Sequence, residues 1–175
     1  KGSIDRLYIH WTAGHYDSTF GDYHININGA GELFLSTDDL TEVLAHTWHR
    51  NTGAIGIALC CCVDATINCD GTFSLGSEPP TGLQIEKTAQ VIALLADVLG
   101  LPIDAEHVLT HAEVGDLDGY GPAKIGTEDF EKWDLWRLPD YDGEWREGGD
   151  VLRGKANWYL NGPSSACHPD RSGGI

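Results

Sequence analysis

The chain has 175 residues, of which 41% are hydrophobic, and it carries a formal net charge of −16. This length suits one domain with a sizeable core. No apolar run approaches the ~20 residues that a membrane-spanning helix requires, and so acidic a surface repels nucleic-acid phosphates and anionic lipids. The composition predicts a single globular domain without a membrane span or a nucleic-acid partner, and we expect a monomer.

The N-terminal sequence Lys1-Gly2-Ser3-Ile4 has neither an initiator methionine nor a signal-peptide pattern, and the chain contains no methionine. We therefore expect a trimmed or processed chain. Secretion stays open, since a removed signal peptide leaves no trace in the sequence that remains.

The first predicted elements are strands. Residues 7–11 form a short apolar run that predicts a central strand. Residues 23–28 alternate between apolar and polar side chains, which is typical of a strand with one buried face. The glycine-containing turn at 29–31 and the apolar residues of 32–35 then predict a hairpin.

The segment that follows is polar and irregular, with a short helix predicted near Asp39–Leu44. Residues 55–63 are a nearly continuous apolar run, Ile-Gly-Ile-Ala-Leu-Cys-Cys-Cys-Val. Such a run indicates a strand that is covered on both faces. Residues 64–80 are predicted to be a loop.

One long helix is predicted from its capping sequence. Thr81 and Gln84 stand in the Thr-x-x-Gln arrangement of a capping box, and apolar residues follow at spacings of three and four. Gly100 and Pro102 are expected to end the helix. The predicted apolar face consists of Leu83, Ala89, Ile92, Leu95 and Leu99.

The remaining elements complete the predicted fold. Residues 107–111 are expected to form a last strand, 112–131 a long loop and 150–160 a terminal helix, followed by a loose tail over 161–175. Strands combined with a long helix predict an α/β fold, a single domain whose central mixed β-sheet is flanked by helices. We expect that domain to comprise residues 1–160.

The five cysteines indicate no zinc knuckle, because the sequence contains no Cys-x-x-Cys pair. Their odd number leaves at least one of them unpaired within the chain. The three consecutive cysteines are interpreted as small apolar strand residues, and a disulfide between Cys69 and one of them is left open. The cysteines are Cys60, Cys61, Cys62, Cys69 and Cys167.

A metal site is suggested by His10, which lies at the end of the first predicted strand. Its expected partners are His111, at the end of the last strand, and Asp134. Two imidazoles and one carboxylate leave a fourth tetrahedral position open, as in a catalytic zinc site. Asp116 and Asp118 are nearer in sequence to His111 and stay rivals for the third ligand.

Several short motifs occur here in a fixed order, and the region to which they belong spans roughly residues 4–137. They are Ile-His-Trp-Thr-Ala, Tyr-His-Ile-Asn-Ile with a glycine turn, Ala-His, Ala-Ile-Gly-Ile, the long helix, Thr-His-Ala-Glu-Val and Lys-x-Asp. This ordered set resembles the type 2 N-acetylmuramoyl-L-alanine amidases, a superfamily that includes phage lysozyme-type amidases and peptidoglycan recognition proteins.

The resemblance implies a zinc enzyme acting on peptidoglycan. It implies hydrolysis of the amide between N-acetylmuramic acid and the L-alanine of the stem peptide. The implied zinc ligands are His10, His111 and Asp134. Tyr23 and Lys132 match catalytic residues, and His46 matches a histidine that lines the substrate groove.

Three features depart from the family pattern. Ala58 stands where many bacterial members carry a glutamate. Only twelve residues separate His10 from Tyr23, too few for the long helix that is usual there. The interval from His111 to Asp134 is longer than usual. Glu113, two residues after a ligand, is interpreted as a support for that ligand or for its loop.

The alternative function is a muropeptide-binding module of the same fold that does not cut its ligand. Ala58 favours this alternative, whereas Asp134 and Lys132 favour the enzyme. A zinc peptidase would need its own motif, such as His-Glu-x-x-His, and the sequence has none. Either function implies a secreted or wall-facing location, periplasmic or phage-delivered. A lone catalytic domain fits a phage or prophage lysin or a fragment of an autolysin.

Overall fold

The computed structural model describes residues 3–162. Its main elements are β1 (Arg6–Trp11), β2 (Ile25–Ile27), β3 (Leu33–Leu35), β4 (Ala54–Leu59), β5 (Thr66–Ile67), β6 (Phe73–Ser74), α1 (Gly82–Leu99), β7 (Val108–Thr110), α2 (His111–Asp118), β8 (Arg137–Pro139), β9 (Trp145–Glu147) and α3 (Gly148–Asn161), with a short 3₁₀ helix over Pro122–Lys124. The tail predicted over 161–175 lies outside the described residues, except that Asn161 ends α3 and Gly162 caps it.

A five-stranded sheet forms the centre of the fold, in the order β3-β2-β4-β1-β7. β1 runs parallel to both of its neighbours, β4 and β7, and β2 also runs parallel to β4. Only β3 is antiparallel, because it returns from β2 in the predicted hairpin. All residues of β2, β4 and β7 are buried, which agrees with their continuous apolar runs. The predicted mixed sheet and α/β class are confirmed.

The long helix begins and ends where its sequence predicted. The Thr81 hydroxyl accepts a hydrogen bond from the Gln84 amide, the Gln84 side chain accepts one from the Thr81 amide, and Gly100 ends the helix in a left-handed conformation. The buried face differs from the prediction at Leu83, which is 57% exposed. Gln84 is buried instead, and its amide donates to the carbonyl of Cys60.

The prediction of a loop over 112–131 is wrong in its first part, because the helix α2 follows β7 directly. His111 begins α2, and Thr110 caps it through a capping box with Glu113. This is the same Thr-x-x-Glu/Gln arrangement that predicted α1. A further helix predicted near Asp39–Leu44 does not form, and that segment consists of turns and bends.

The cysteine-rich run also differs from its predicted strand over 55–63. β4 ends at Leu59, and Cys60, Cys61 and Cys62 follow it in a buried, non-strand segment. These three residues and the exposed Cys69 are free thiols, so the bridge left open for Cys69 does not form. Over residues 3–162 no helix combines the length and apolar character that crossing a bilayer would require.

Candidate metal centre

His10 and His111 meet because two parallel strands end side by side. His10 is the fifth residue of β1, and its neighbour Ile9 pairs with Thr110, the last residue of β7. The chain then turns directly into α2, so that His111 is the first residue of that helix. Parallel strands point their carboxyl ends to one edge of the sheet, and this topology brings together two histidines that are 101 positions apart.

Asp134 reaches the same place from the segment between the 3₁₀ helix and β8. Its backbone carbonyl accepts a hydrogen bond of 3.2 Å from the amide of Ala112, in the first turn of α2. The next residue, Leu135, is fully buried and has a φ of +58°, a conformation that costs free energy for a residue with a β-carbon. Gly148 packs on the carbonyl of Leu135, where any β-carbon would overlap with it.

The three side chains present a triangle of ligand atoms. Nδ1 of His10 lies 3.1 Å from Nδ1 of His111, and Oδ2 of Asp134 lies 3.7 Å from the first nitrogen and 3.4 Å from the second. A tetrahedral zinc ion with bonds of about 2.1 Å holds its ligand atoms about 3.4 Å apart. The group therefore fits a zinc ion, and it is the one cluster of this kind within residues 3–162.

The charge states of the group also suit a metal. Burial, together with the nearby charge of His111, lowers the pKa of His10 to about 4, so that its imidazole is neutral at pH 7. Burial alone would raise the pKa of Asp134, but hydrogen bonds with His10 and His111 outweigh it and lower that pKa. Neutral imidazoles and an ionised carboxylate are the forms that ligate metals.

Each histidine is also held by its other ring nitrogen. Nε2 of His10 lies 3.3 Å from the hydroxyl of Thr47, and Nε2 of His111 lies 3.5 Å from the hydroxyl of Tyr120. Such partners orient a ligating imidazole and leave the opposite nitrogen, here Nδ1, for the metal. Neither Thr47 nor Tyr120 was predicted from the sequence, because both lie in irregular segments without a periodic pattern.

Glu113 fixes the start of α2 and hence the position of His111. Its carboxylate accepts hydrogen bonds from the amide of Thr110 at 2.8 Å and from Nη2 of Arg153 at 2.7 Å. Arg153, in α3, also donates to the carbonyl of Val108 at 2.9 Å. Glu113 thus has the supporting contacts that were predicted for it, and α3 supplies the counter-charge.

A cavity of about 540 Å³ opens beside the centre. His111 and Lys132 both line it, whereas His10, Tyr23 and Asp134 do not. The lining residues are Ala45, His46, Trp48, Asn51, His111, Gly119, Tyr120, Glu128, Asp129, Glu131 and Lys132. Lys132 is exposed, and within the described residues its ammonium makes no ion pair with these neighbouring acids.

Tyr23 packs against the ring of His10. Its ring centroid lies 5.1 Å from that of His10, and its hydroxyl is 3.5 Å from the carbonyl of Trp11. Burial, with a contribution from the charge of Asp134, raises the pKa of Tyr23. The Tyr23 hydroxyl therefore stays protonated at neutral pH. Tyr23 itself lies outside β2, because β2 is shorter than the strand that was predicted over 23–28.

His46 is buried next to His10, with ring centroids 5.4 Å apart. Its Nδ1 bonds to the Thr47 hydroxyl at 3.0 Å. The ring occupies the space that a β-carbon at Gly56 would fill, 2.6 Å from the ring Cγ. Burial, assisted by the charges of His10 and His24, lowers the pKa of His46 to about 3. Gly56, the glycine of the Ala-Ile-Gly-Ile motif, is therefore required because the His46 ring occupies the space of a β-carbon, and not because the backbone turns there.

The remaining candidates lie apart from the centre. Asp118 forms an ion pair with Arg50 at 2.6 Å, and Asp116 accepts a hydrogen bond from the amide of Ala123 at 2.7 Å. Neither rival of Asp134 joins the ligand group. Ala58 is fully buried in the sheet, paired with His10 on one side.

Comparison with known proteins gives a family match and a likeness to a solved structure. The sequence profile of the N-acetylmuramoyl-L-alanine amidase family matches residues 1–124, which include His10 and His111 but end before Lys132 and Asp134. The chain is also similar, with 15% identity and a TM-score of 0.45, to a protein in the crystal structure of tracheal cytotoxin bound to the ectodomain complex of peptidoglycan recognition proteins LCa and LCx. That alignment covers 73% of this chain and 78% of that one. No curated protein matches the chain significantly.

Proposed function

Because the chain belongs to the N-acetylmuramoyl-L-alanine amidase family, we propose that it is a zinc-dependent enzyme that hydrolyses the amide bond between N-acetylmuramic acid and L-alanine in peptidoglycan. The observation that carries the proposal is the ligand triangle of His10, His111 and Asp134. Its separations of 3.1, 3.4 and 3.7 Å match a tetrahedral zinc site with one open position. His111 also borders a cavity that is large enough for a muramyl peptide.

His10, His111 and Asp134 would hold the zinc ion. When bound there, zinc supplies a Lewis acid for the amide carbonyl and a source of hydroxide at neutral pH. The chain's own contribution is to keep both imidazoles neutral and oriented, through Thr47 and Tyr120, and to keep the carboxylate ionised. A rigid, buried ligand set with its partners in place requires little rearrangement as charge develops.

Lys132 is the proposed donor to the developing oxyanion. It lines the cavity beside His111. Burial is the main cause of the lowered pKa of His10, and the positive charge of Lys132 adds the smallest contribution to it. An ammonium that makes no ion pair among the described residues is free to approach the amide oxygen when negative charge forms on it.

Tyr23 is the proposed group for water positioning and proton transfer. Amide hydrolysis removes a proton from water and adds one to the leaving nitrogen of L-alanine. A tyrosine hydroxyl with its ordinary pKa of about 10 is protonated at neutral pH, and burial raises the pKa of Tyr23 further. It can therefore donate to the nitrogen and recover a proton from water. His46 is proposed to shape the floor of the groove, where it is buried and neutral.

A second candidate function is muropeptide binding without cleavage. It is favoured by Ala58, which takes the place of a glutamate that the resemblance would lead one to expect. Ala58 pairs with His10 across the sheet, so a longer side chain there would share the face of that ligand. Within the described residues, Asp134 is the one carboxylate in the ligand group.

The test measures metal content and reaction products together. Zinc in the purified chain is quantified, and the chain is then incubated with peptidoglycan and examined for free stem peptides with a new L-alanine amino terminus. The amidase predicts stoichiometric zinc and product release that a chelator and His111→Ala both abolish. His107→Ala is the control, because His107 bonds to Asp104 outside the centre. Zinc without release would favour the binding module, and a chain that binds no zinc would overturn both the ligand assignment and the amidase.

We further propose that the catalytic domain comprises residues 1–160, because α3 contributes Arg153 and Gly148 to the support of the ligands. The setting that best fits this proposal is a secreted or phage-delivered lysin acting on the wall from outside the cytoplasm.

A further inference from the structure

The hydroxyl of Thr47 lies between two histidine rings. It is 3.0 Å from Nδ1 of His46 and 3.3 Å from Nε2 of His10. All three residues are buried, and none of them is more than 6% exposed. In such surroundings the hydrogen bonds of a chain polarise one another. The three groups therefore form one hydrogen-bonded chain that leads from His46 to the ligand triangle.

The single proton of the Thr47 hydroxyl gives this chain only two possible directions. A neutral imidazole carries its proton on one ring nitrogen and accepts with the other. If Nε2 of His10 donates to the hydroxyl, the hydroxyl donates to Nδ1 of His46, whose own proton is then on Nε2. If Nε2 of His10 accepts the hydroxyl proton instead, Nδ1 of His46 has to donate. In both cases the two rings carry their protons on the same nitrogen.

Only one of the two directions suits a metal ligand. Nδ1 of His10 is the nitrogen that faces His111 and Asp134, and a nitrogen that ligates a metal carries no proton. Nε2 of His10 then holds the ring proton and donates it to the Thr47 hydroxyl, as is usual for the outer nitrogen of a ligating histidine. The hydroxyl proton is left for Nδ1 of His46.

The His46 ring has no second hydrogen bond that would decide its tautomer. Its Nε2 is buried and has no hydrogen-bond partner among the described residues. Burial is the main cause of the lowered pKa of His46, and the backbone of Ala54 acts in the opposite direction without forming a hydrogen bond of normal geometry. Within residues 3–162, Thr47 is therefore the group that determines which nitrogen of His46 is protonated.

We propose that His46 is a positioning residue for the proposed metal ligand His10 and that it acts through Thr47, whose one hydroxyl proton ties the ring tautomer of His46 to that of His10. Because Nδ1 of His46 takes the hydroxyl proton, the hydroxyl accepts from Nε2 of His10 and leaves Nδ1 of His10 for zinc. The proposal rests on the proposed function for the identity of the metal, whereas the coupling of the two tautomers can be measured without any metal.

The first measurement determines the tautomers directly. Long-range proton–nitrogen NMR correlation spectra show which ring nitrogen carries the proton, and two other histidines serve as internal standards. His24 holds its proton on Nε2, because its Nδ1 accepts from the amide of Gly56 at 3.0 Å and its Nε2 donates to the carbonyl of Glu42 at 2.9 Å. His107 holds a proton on Nδ1, which lies 2.7 Å from the carboxylate of Asp104.

In the zinc-loaded chain, His46 is expected to show the same tautomer as His24. In the metal-free chain, His46 and His10 should share one tautomer. Thr47→Val has no hydroxyl, so its His46 should give a mixture of tautomers that zinc does not change. A zinc-loaded wild type with the His46 proton on Nδ1, opposite tautomers of His46 and His10 in the metal-free chain, or an unchanged His46 tautomer in Thr47→Val would each overturn the coupling.

Zinc affinity gives the second measurement. Thr47→Val and His46→Phe should each weaken zinc binding about tenfold or more, the loss usual when an outer partner of a ligating histidine is removed. Thr47→Ser keeps the hydroxyl and should bind zinc like the wild type. Thr88→Val is the matched control, since Thr88 is also buried and its hydroxyl donates to the carbonyl of Gln84 at 2.8 Å, on α1.

Equal losses of zinc affinity in Thr47→Val and Thr88→Val, or an unchanged affinity in His46→Phe, would overturn the positioning role. A wild type that binds no zinc would overturn the proposed metal centre and, with it, the role of His46 toward a metal. The tautomers of the metal-free wild type and of Thr47→Val would then decide the coupling by themselves, so the two failures are distinguishable.

Discussion

Gly149 lies directly against the carboxylate of Glu113, so close that a β-carbon at position 149 would overlap with both carboxylate oxygens. Glu113 caps α2, whose first residue is His111, and Gly149 belongs to the first turn of α3. The absence of a side chain at Gly149 therefore allows α3 to support His111, a proposed metal ligand that belongs to a different helix.

Replacing Gly149 by alanine should displace Glu113 and destabilise the fold by about 1–3 kcal/mol, the usual cost of overpacking a tight site. Zinc affinity should fall as well, because α2 would lose part of its cap. Urea unfolding and zinc titration measure the two effects. Gly154→Ala is a matched control in the same helix, where a β-carbon meets no neighbour, and it should be neutral or stabilising by about 1 kcal/mol. Equal effects of the two substitutions would contradict this account.

Asp134→Asn should remove most of the zinc from the purified chain and abolish amide hydrolysis. An amide is a weaker metal ligand than a carboxylate, and the centre would retain only two good donors. Zinc content by atomic absorption and product release by chromatography measure the change. Asp116→Asn is the control, because an amide oxygen can still accept the hydrogen bond from Ala123. Loss of zinc in Asp116→Asn, with zinc retained in Asp134→Asn, would return the third ligand to its sequence rival.

Lys132→Ala should lower kcat by about 10²–10³ with zinc content unchanged, the usual result of removing one donor to an oxyanion. Tyr23→Phe should also lower kcat and retain zinc, since it removes only a hydroxyl that lies outside the ligand triangle. Steady-state rates on a soluble muramoyl peptide, measured beside metal analysis, separate catalysis from ligation. Lys87→Ala, on α1 outside the cavity, is the control. A Lys132→Ala variant with normal kcat would remove Lys132 from the mechanism.

The sequence predicted the positions of His10 and His111 because both are adjacent to apolar strands, and parallel strands bring their ends together. It could not predict Thr47 or Tyr120, since their roles depend on how irregular segments fold over the ring nitrogens. Asp134, the proposed third ligand, was expected from the resemblance but not from spacing. Its position depends on the strained backbone at Leu135, for which the sequence has no signal.

The helix α2 was missed although its signal was present. Thr110 and Glu113 form the same kind of capping box as Thr81 and Gln84, but residues 112–131 were predicted to be a loop. Gly115 lies within the helix and is buried where the helix packs against the backbone of Gly121. Close packing therefore overrides the low helix propensity of glycine.

The exposed pair of His15 and Glu78 should make stability depend on pH in a narrow range. Nδ1 of His15 lies 2.8 Å from Oε1 of Glu78. Their hydrogen bond raises the pKa of His15 above 6.5 and lowers the pKa of Glu78 below 4.5. The stabilisation of the fold by protonated His15 is fully present below pH 6.5 and is lost as the pH rises through the raised pKa of His15. The contribution of Glu78 is present above pH 4.5 and is lost as the pH falls through its lowered pKa.

The difference in Tm between the wild type and His15→Gln should therefore be largest between pH 4.5 and 6.5 and should decrease on either side. Salt should reduce it, because the pair is exposed. Thermal unfolding from pH 4 to 9 measures the profile, and a difference that stays constant with pH would refute the assignment.

Gly56 and His46 should show strong energetic coupling. Gly56→Ala alone forces a β-carbon to within 2.6 Å of the His46 ring in a fully buried strand, and we expect a destabilisation of about 1–3 kcal/mol. In a His46→Ala background the ring is absent, so the same substitution should cost little, because the freed space receives the methyl group. A double-mutant cycle in urea should therefore give a coupling of about 1 kcal/mol or more. Gly21→Ala, where a β-carbon meets no neighbour, should show no coupling to His46→Ala. Additive penalties for Gly56→Ala and His46→Ala would mean that the glycine is needed for the strand itself and not for the histidine at the floor of the groove.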